Sequence, residues 1–465
     1  MILRAGMVLP AAIPWRRLMV LTGAIFMLSW PAGRAAEPVP PQKGTLEITE
    51  EPGLATVPWQ IWSVDRYLSM ETGADITTTL AGWGGRGETR LLRPLDHHGG
   101  GGIATRAVWT LAMDVPLSFW LAILQHEAFG HGGRVREFGH SASLDMGRPW
   151  SFERTASAGF DADDFTNDQL LVIYTGGSEA NGWTATITER RMVAGRPMAG
   201  FDLLYLAWNR YATSAYVLRT TPDPRDDPVG FYGEWSGGGD AAHYLGHQNI
   251  RFYGDPGITP AGSSADVLEQ WDRMERGAYW NLLDPGLWLA LWGTGRQVIR
   301  GGPPAPIPLP RVAGRRFLPI LSSDWLPDAV VLSLEVAVAR DSGQGPGSRY
   351  GPGWGTVLAR HGTGPEGSYW AAGAGTDSQW QTSRWRVGGD FEVWSRIGGG
   401  LGGGIRGRFL KVGGRAEGML LEAGVKSAGH WPGRPAGTGP FLRFGWVFRD
   451  APATAGSTPA GPTPG

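Results

Sequence analysis

The chain of 465 residues contains no cysteine. That excludes a disulfide framework, any thiolate-ligated zinc or iron–sulfur site, and thiol catalysis. Charge is also scarce. Charged residues make up 18% of the chain, and 43 acidic against 42 basic residues leave a net charge of −1. So balanced a chain has no electrostatic footprint for nucleic acid, and no nucleic-acid partner is expected. Apolar residues are not lacking. At 42% hydrophobic, the chain can build a core, which excludes wholesale disorder.

Two residue types are abundant. Glycine, at 73 residues, is roughly twice its usual share, and there are 23 tryptophans. Composition then divides the chain. Arg16 and Arg17 precede an apolar run, Leu18 to Trp30, followed by small residues up to Ala35 and Ala36. This reads as a signal peptide over 1–36, and the run is short for a membrane span. A linker is expected over 37–60 and a mainly helical domain over 61–300. Five prolines in 301–314 read as a second linker. Residues 315–450 alternate with period two, and 451–465 form a low-complexity tail expected to be disordered.

The strongest helix candidate runs from Pro116 to Phe129 and is apolar nearly all round, as a helix buried in a core or touching a membrane would be. Further helices are expected at 166–175, 177–194, 200–217, 240–249, 264–275 and 285–293. The apolar helix ends in His126-Glu127-Ala128-Phe129-Gly130-His131. Polar groups in that setting are costly unless something satisfies them, and a metal would. Imidazoles are good zinc ligands, and an adjacent carboxylate can take a proton from zinc-bound water. The spacing is H-E-x-x-x-H, so a regular helix would leave the two imidazoles about 140° apart. A π-bulge would bring i and i+5 together, with Gly130 as its soft point. Alternatively His131 turns inward from a last turn that Gly132 and Gly133 end, or Glu127 and His131, at i and i+4, ligate together.

The stretch HEAFGHG resembles zinc metallopeptidases, most closely the H-E-x-x-x-H peptidases of the TldD type, over about eight residues. The resemblance implies His126 and His131 as zinc ligands and Glu127 as base or ligand. Gluzincins take a third ligand from a Glu on a later helix, and Glu179, in Gly176-Gly177-Ser178-Glu179-Ala180-Asn181, matches that role. His140 is a second candidate. Arg134 or Arg136 could stabilise an oxyanion. Asp240, His243 and His247 fall on one helix face and form another constellation, with Asp240 also a natural N-cap. This second cluster could join the first at one site. His97 and His98 precede a glycine run and read as loop residues.

In the C-terminal region seven segments, at 328–340, 353–361, 367–376, 384–395, 405–412, 416–427 and 441–448, alternate apolar with polar residues. Val312 to Leu321 is a candidate eighth strand. The pattern predicts an antiparallel β-barrel-like domain. Alternation does not say which face is inside: a soluble barrel buries the apolar face, and a membrane barrel turns it outward. Segments of about 9–12 residues, a polar face mixing both charges with Gly, and an aromatic last strand resembling the terminal strand of outer-membrane barrels favour the membrane. The fold class expected is therefore α+β: a helical metal-site domain, then a barrel of about eight strands. The function expected is an exported zinc-dependent hydrolase of the cell envelope, at the outer membrane or in the periplasm. Most simply it is a metallopeptidase acting on a peptide or protein substrate. A non-enzymatic outer-membrane barrel with a structural metal or none is the alternative.

Overall fold

The computed structural model describes residues 60–93, 99–150, 156–302, 304–340, 354–381, 385–395, 399–412 and 417–448. The signal peptide, nearly all of the first linker, the C-terminal tail, and His97 and His98 lie outside them. The architecture is a helical region followed by an antiparallel sheet. Residues Gly53–Gly465 form one compact unit, within which the helices pack directly on the sheet. Within that expected linker, Ala305–Pro306 pairs with Pro197–Met198, and Arg311–Val312 opens the sheet.

Helix α1 spans Met70–Leu92. A continuous helical rod follows: α2 (Gly99–Trp109), a π turn (Thr110–Asp114), α3 (Val115–Leu124), a π-helix (Gln125–His131) and α4 (Gly132–Glu137). Pro116 does not start this rod. It follows the first π turn, where the looser ladder tolerates its missing N–H. Gly132 and Gly133 do not end the rod, because α4 runs through them. The stretch Gly100–Glu137 is long and apolar enough, by length and composition, to cross a membrane. Helix α5 (Asn167–Val193) fuses the two helices expected on either side of Gly176 and opens with a Thr166/Gln169 capping box. After it come α6 (Gly200–Ala215), a π turn (Tyr216–Thr220), α7 (Pro228–Gly237), α8 (Asp240–Tyr253), α9 (Ala265–Leu282) and α10 (Pro285–Arg300).

The sheet has ten strands: β1 (Gln60–Val64), β2 (Arg311–Val312), β3 (Arg315–Trp325), β4 (Val330–Arg340), β5 (Trp354–Gly364), β6 (Gly367–Gln381), β7 (Trp385–Ser395), β8 (Leu401–Val412), β9 (Glu417–Lys426) and β10 (Gly439–Phe448). Their order is β1-β10-β9-β8-β7-β6-β5-β4-β3-β2, a meander that ends on a strand returned from before α1. The sheet is open and does not close as a barrel, because β1 and β2 pair on one side only. Helix side chains take up edge groups instead. On β1, Ile61 N–H donates to Thr79 Oγ1 (3.0 Å), whose hydroxyl donates back to Ile61 O (2.9 Å). On β3, Leu321 N–H donates to Asp284 Oδ1 (2.8 Å) and Ser323 N–H to Asn281 Oδ1 (2.7 Å). Edge strands left unpaired would invite further strand addition.

The alternation is inverted relative to a soluble sheet. Glu335, Arg360, Glu392, Arg406, Glu422 and Arg443 point inward and are buried, while Leu334, Val357, Phe391, Ile405, Leu421 and Phe444 are exposed. The inward charges meet opposite charges on α1 and α5. Arg406 reaches Glu71 (2.6 Å), Arg443 reaches Asp75 (2.6 Å), and Arg190 reaches Glu335 (2.6 Å). Arg191 joins Asp75 (3.2 Å), and the Arg443 Nε donates to Glu422 (2.6 Å). This explains α1, whose buried residues include Glu71, Thr72, Asp75 and Thr79: its partner is a charged surface. Buried charges are tolerated only when paired, and removing one partner strands the others. Arg443→Met is expected to cost about 3–5 kcal/mol of stability by leaving Asp75 and Glu422 undercompensated. Met419→Leu, on the outward face, is expected to change little. Chemical denaturation midpoints compare the two.

Candidate metal centre

The site is built where the helical rod crosses α5. Gly130 lies directly on the α5 backbone: a β-carbon there would sit 2.6 Å from the Gly177 Cα and 2.8 Å from the Gly176 carbonyl oxygen. Glycine on both sides permits this approach. Between Gln125 and His131 the rod is π-helical, so the two imidazoles five residues apart face one another, with ring centroids 4.8 Å apart. Of the geometries the spacing left open, the π-bulge is the one observed, and Gly130 serves in it as the point of close contact.

Three acceptor atoms converge. His126 Nε2 and His131 Nε2 are 3.1 Å apart, and Asp240 Oδ2 lies 3.1 Å from the first and 3.2 Å from the second. Among the described residues, these three form a cluster that could hold a metal ion. The other ring nitrogens are already committed. His131 Nδ1 lies 2.7 Å from the Ile173 carbonyl, which can only accept, so that nitrogen carries hydrogen. His126 Nδ1 lies 2.7 Å from Asn181 Oδ1. The amide's orientation is set by its nitrogen, which donates to Ala122 O (3.0 Å) and Asn209 Oδ1 (2.8 Å). Both rings therefore turn Nε2 toward the same point as a carboxylate oxygen. Such a point attracts a cation. Burial by itself lowers His131, but the Asp240 carboxylate outweighs it and pushes the imidazole up to about 9. Burial likewise opposes the Asp240 charge, yet the two imidazoles hold its carboxyl well below the usual range.

Asp240 arrives from 109 residues beyond His131. It is the first residue of α8, not its N-cap: that position is Gly239, and the side chain makes no capping bond. Gly238, at φ 98°, ends α7 in a left-handed turn that only glycine adopts readily, and so turns the chain into α8. His243 and His247 do not join Asp240. The His243 ring packs against Tyr174 and Trp235, and His247 lies 2.8 Å from Asn167 Oδ1. Burial lowers both imidazoles, His247 to about 4.

Glu179 is not brought to the cluster. It sits in mid-α5, paired with Arg134, and accepts from Gly433 N–H (2.9 Å). Arg134 also binds Glu137 (2.8 Å) and Arg434 O (2.9 Å). Glu179 thus ties the connection between β9 and β10 to the helices; burial pushes its carboxyl up, and Arg134 outweighs that and lowers it. Arg136 is spent on the Tyr67 carbonyl (2.6 Å) and the Ala128 carbonyl (2.7 Å). Neither arginine faces the imidazoles as an oxyanion donor would. His140 is exposed and pairs with Asp164 (3.5 Å).

Glu127 does share the site. Its Oε2 accepts from Ala158 N–H (3.0 Å), donated by the short hairpin strand Ser157–Gly159. Burial raises its pKa, which the neighbouring imidazoles partly offset. Tyr216, from the second π turn beyond α6, places its hydroxyl 3.1 Å from His126 Nε2. The cluster and Glu127 line a cavity of about 600 Å³ whose other walls include Phe119, Ile123, Trp208 and Tyr211. Tyr216 and Asn181 were missed in the sequence. Asn181 stood in the same small-residue motif as Glu179, and a helix facing two histidines is where a carbonyl-type acceptor for Nδ1 belongs.

No protein-family model, no curated protein and no solved structure matches the chain.

A β-carbon on Gly177 would lie 2.3 Å from His126 Nε2. Gly177→Ala is therefore expected to turn that imidazole away and weaken metal binding. Gly182→Ala, where the nearest atom is 3.8 Å away, is expected to leave it unchanged. Asn181→Leu, which frees the His126 tautomer, is expected to cost about 10–100-fold in affinity. Titration calorimetry with zinc or cobalt reads all three.

Proposed function

We propose that the chain is a zinc-dependent hydrolase acting on peptide bonds, with His126, His131 and Asp240 as the metal ligands. The observation that carries this reading is the triangle of acceptor atoms with edges of 3.1–3.2 Å. Ligand atoms about 2.0–2.1 Å from a tetrahedral zinc lie about 3.3 Å from one another, so the donor set fits with little movement. Two imidazoles and a carboxylate also suit zinc chemically, and three protein ligands leave a position open, as in catalytic rather than structural sites. A zinc ion held there supplies an acidified water and polarises a carbonyl.

The remaining work falls to the chain. Glu127 is the proton acceptor. Burial raises its basicity, and the Ala158 N–H fixes one carboxylate oxygen. Tyr216 is the donor for negative charge developing on the substrate oxygen, because its hydroxyl sits beside His126 Nε2 at the cavity wall. Asn181 and the Ile173 carbonyl keep both imidazoles in the ligating tautomer. The aromatic and aliphatic walls suit a substrate carrying bulky apolar groups beside the scissile bond.

Purified protein is expected to carry about one zinc per chain, and His126→Ala, His131→Ala and Asp240→Ala are expected to lose it, whereas Glu179→Gln is expected to keep it. Glu127→Gln is expected to retain the metal and lose about 10²–10⁴ in kcat on peptide substrates. Elemental analysis beside a peptidase assay decides. A chain that binds no metal sinks the reading, and a fully active, metal-loaded Glu127→Gln sinks the role given to Glu127.

A further inference from the structure

The outward face of β7–β10 and β1 is layered. Pairing registers place Val387, Phe409, Leu421, Phe444 and Val64 in one row across the five strands. Six residues along β8 from Lys411, Phe391, Ile405 and Val425 form another row. At the opposite end lies a row of different chemistry: Trp385, Lys411, Met419, Trp446 and Trp62. The Lys411 ammonium sits 5.7 Å from the Trp385 ring centroid. Among the described side chains of β7–β10, Lys411 is the one charge on that face. Ile405 is 61% exposed, Met419 61% and Trp446 55%.

We propose that this face is a lipid-contacting surface, embedded in the acyl region of a bilayer with the Trp385–Lys411–Trp446–Trp62 row at the headgroup level. Three observations support it independently of any metal chemistry. First, on β7–β10 the ionisable residues Glu392, Arg406, Glu422 and Arg443 are buried inside while Phe391, Ile405, Leu421 and Phe444 are exposed outside, as in a membrane barrel whose lumen is polar. Second, β7–β10 have 10–12 residues each, about the 9–11 that span a bilayer when tilted, and indole with lysine belongs where hydrocarbon gives way to headgroups. Third, an open sheet edge in hydrocarbon would leave backbone groups unsatisfied. Here Thr79 on one edge, and Asn281 and Asp284 on the other, supply partners from the helices. The helices thereby stand in for the missing barrel closure.

The absence of cysteine provides the test, since single labels can be placed without removing any native thiol. Ala423→Cys, Phe409→Cys and Phe444→Cys on the apolar face, and Glu269→Cys on α9 as the aqueous reference, would carry a nitroxide in the full chain reconstituted into phosphatidylcholine vesicles. At the three sheet positions, collisions with oxygen are expected to exceed those with a water-soluble nickel chelate several-fold, with the reverse at Glu269→Cys. Nickel access at the sheet positions matching that at Glu269→Cys would overturn the proposal in favour of a water-facing sheet. Exclusion of both reagents with spin–spin broadening would overturn it in favour of a second copy covering the face. Ala423→Cys changes a small exposed side chain, so its result stands even where the Phe variants fold poorly.

Discussion

Charge facing inward has to be matched, and the rest of the molecule follows from that constraint. The sheet turns its arginines and glutamates toward the helices, so the helices beneath it must present opposite charges at fixed positions. Helix α1 does so with Glu71 and Asp75, and α5 with Arg190, while Arg191 of α5 ties Asp75 to its own helix. Such pairs contribute little net stability over an apolar core, but an unmatched member costs several kcal/mol. They therefore act as register marks, allowing the helices few positions against the sheet.

Helix α5 carries that constraint into the site. Its C-terminal half is pinned by Arg190 and Arg191, while its N-terminal half offers the Ile173 carbonyl, the Gly176-Gly177 surface and the Asn181 amide to the π-helix. The contact at Gly130 brings the rod close enough for those groups to take both Nδ1 hydrogens. Once they are taken, both Nε2 atoms and a carboxylate oxygen converge on one point. The costly burial of histidine in an apolar helix is offset on one side by hydrogen bonds and leaves a cation-seeking point on the other. Glu179, paired with Arg134, which also holds Glu137, belongs to the charge network and not to the histidine cluster.

Period-two alternation marked the strands of the C-terminal region because it is a local property of the backbone pleat. The i, i+5 histidine pair was readable for the same kind of reason: a regular helix keeps the two apart, so a π-bulge was one of the few local geometries that could bring them together. Helix α1 was not legible, because its buried face is polar and a search for apolar periodicity passes over it. Strand β1 was hidden by its brevity and by a partner, β10, nearly four hundred residues away.

Sequence by itself therefore determined that the C-terminal region is built of alternating strands, that the chain has no thiol chemistry, and that His126, Glu127 and His131 fall together at the end of an apolar helix. Tertiary structure decided three things no local pattern encodes. It brought Asp240 rather than Glu179 to the two histidines, since that depends on which helices cross. It joined the two halves into one unit, since paired charges need both partners. And it turned the charged side of the sheet inward, because an alternating strand reads the same from either face until something packs against one of them.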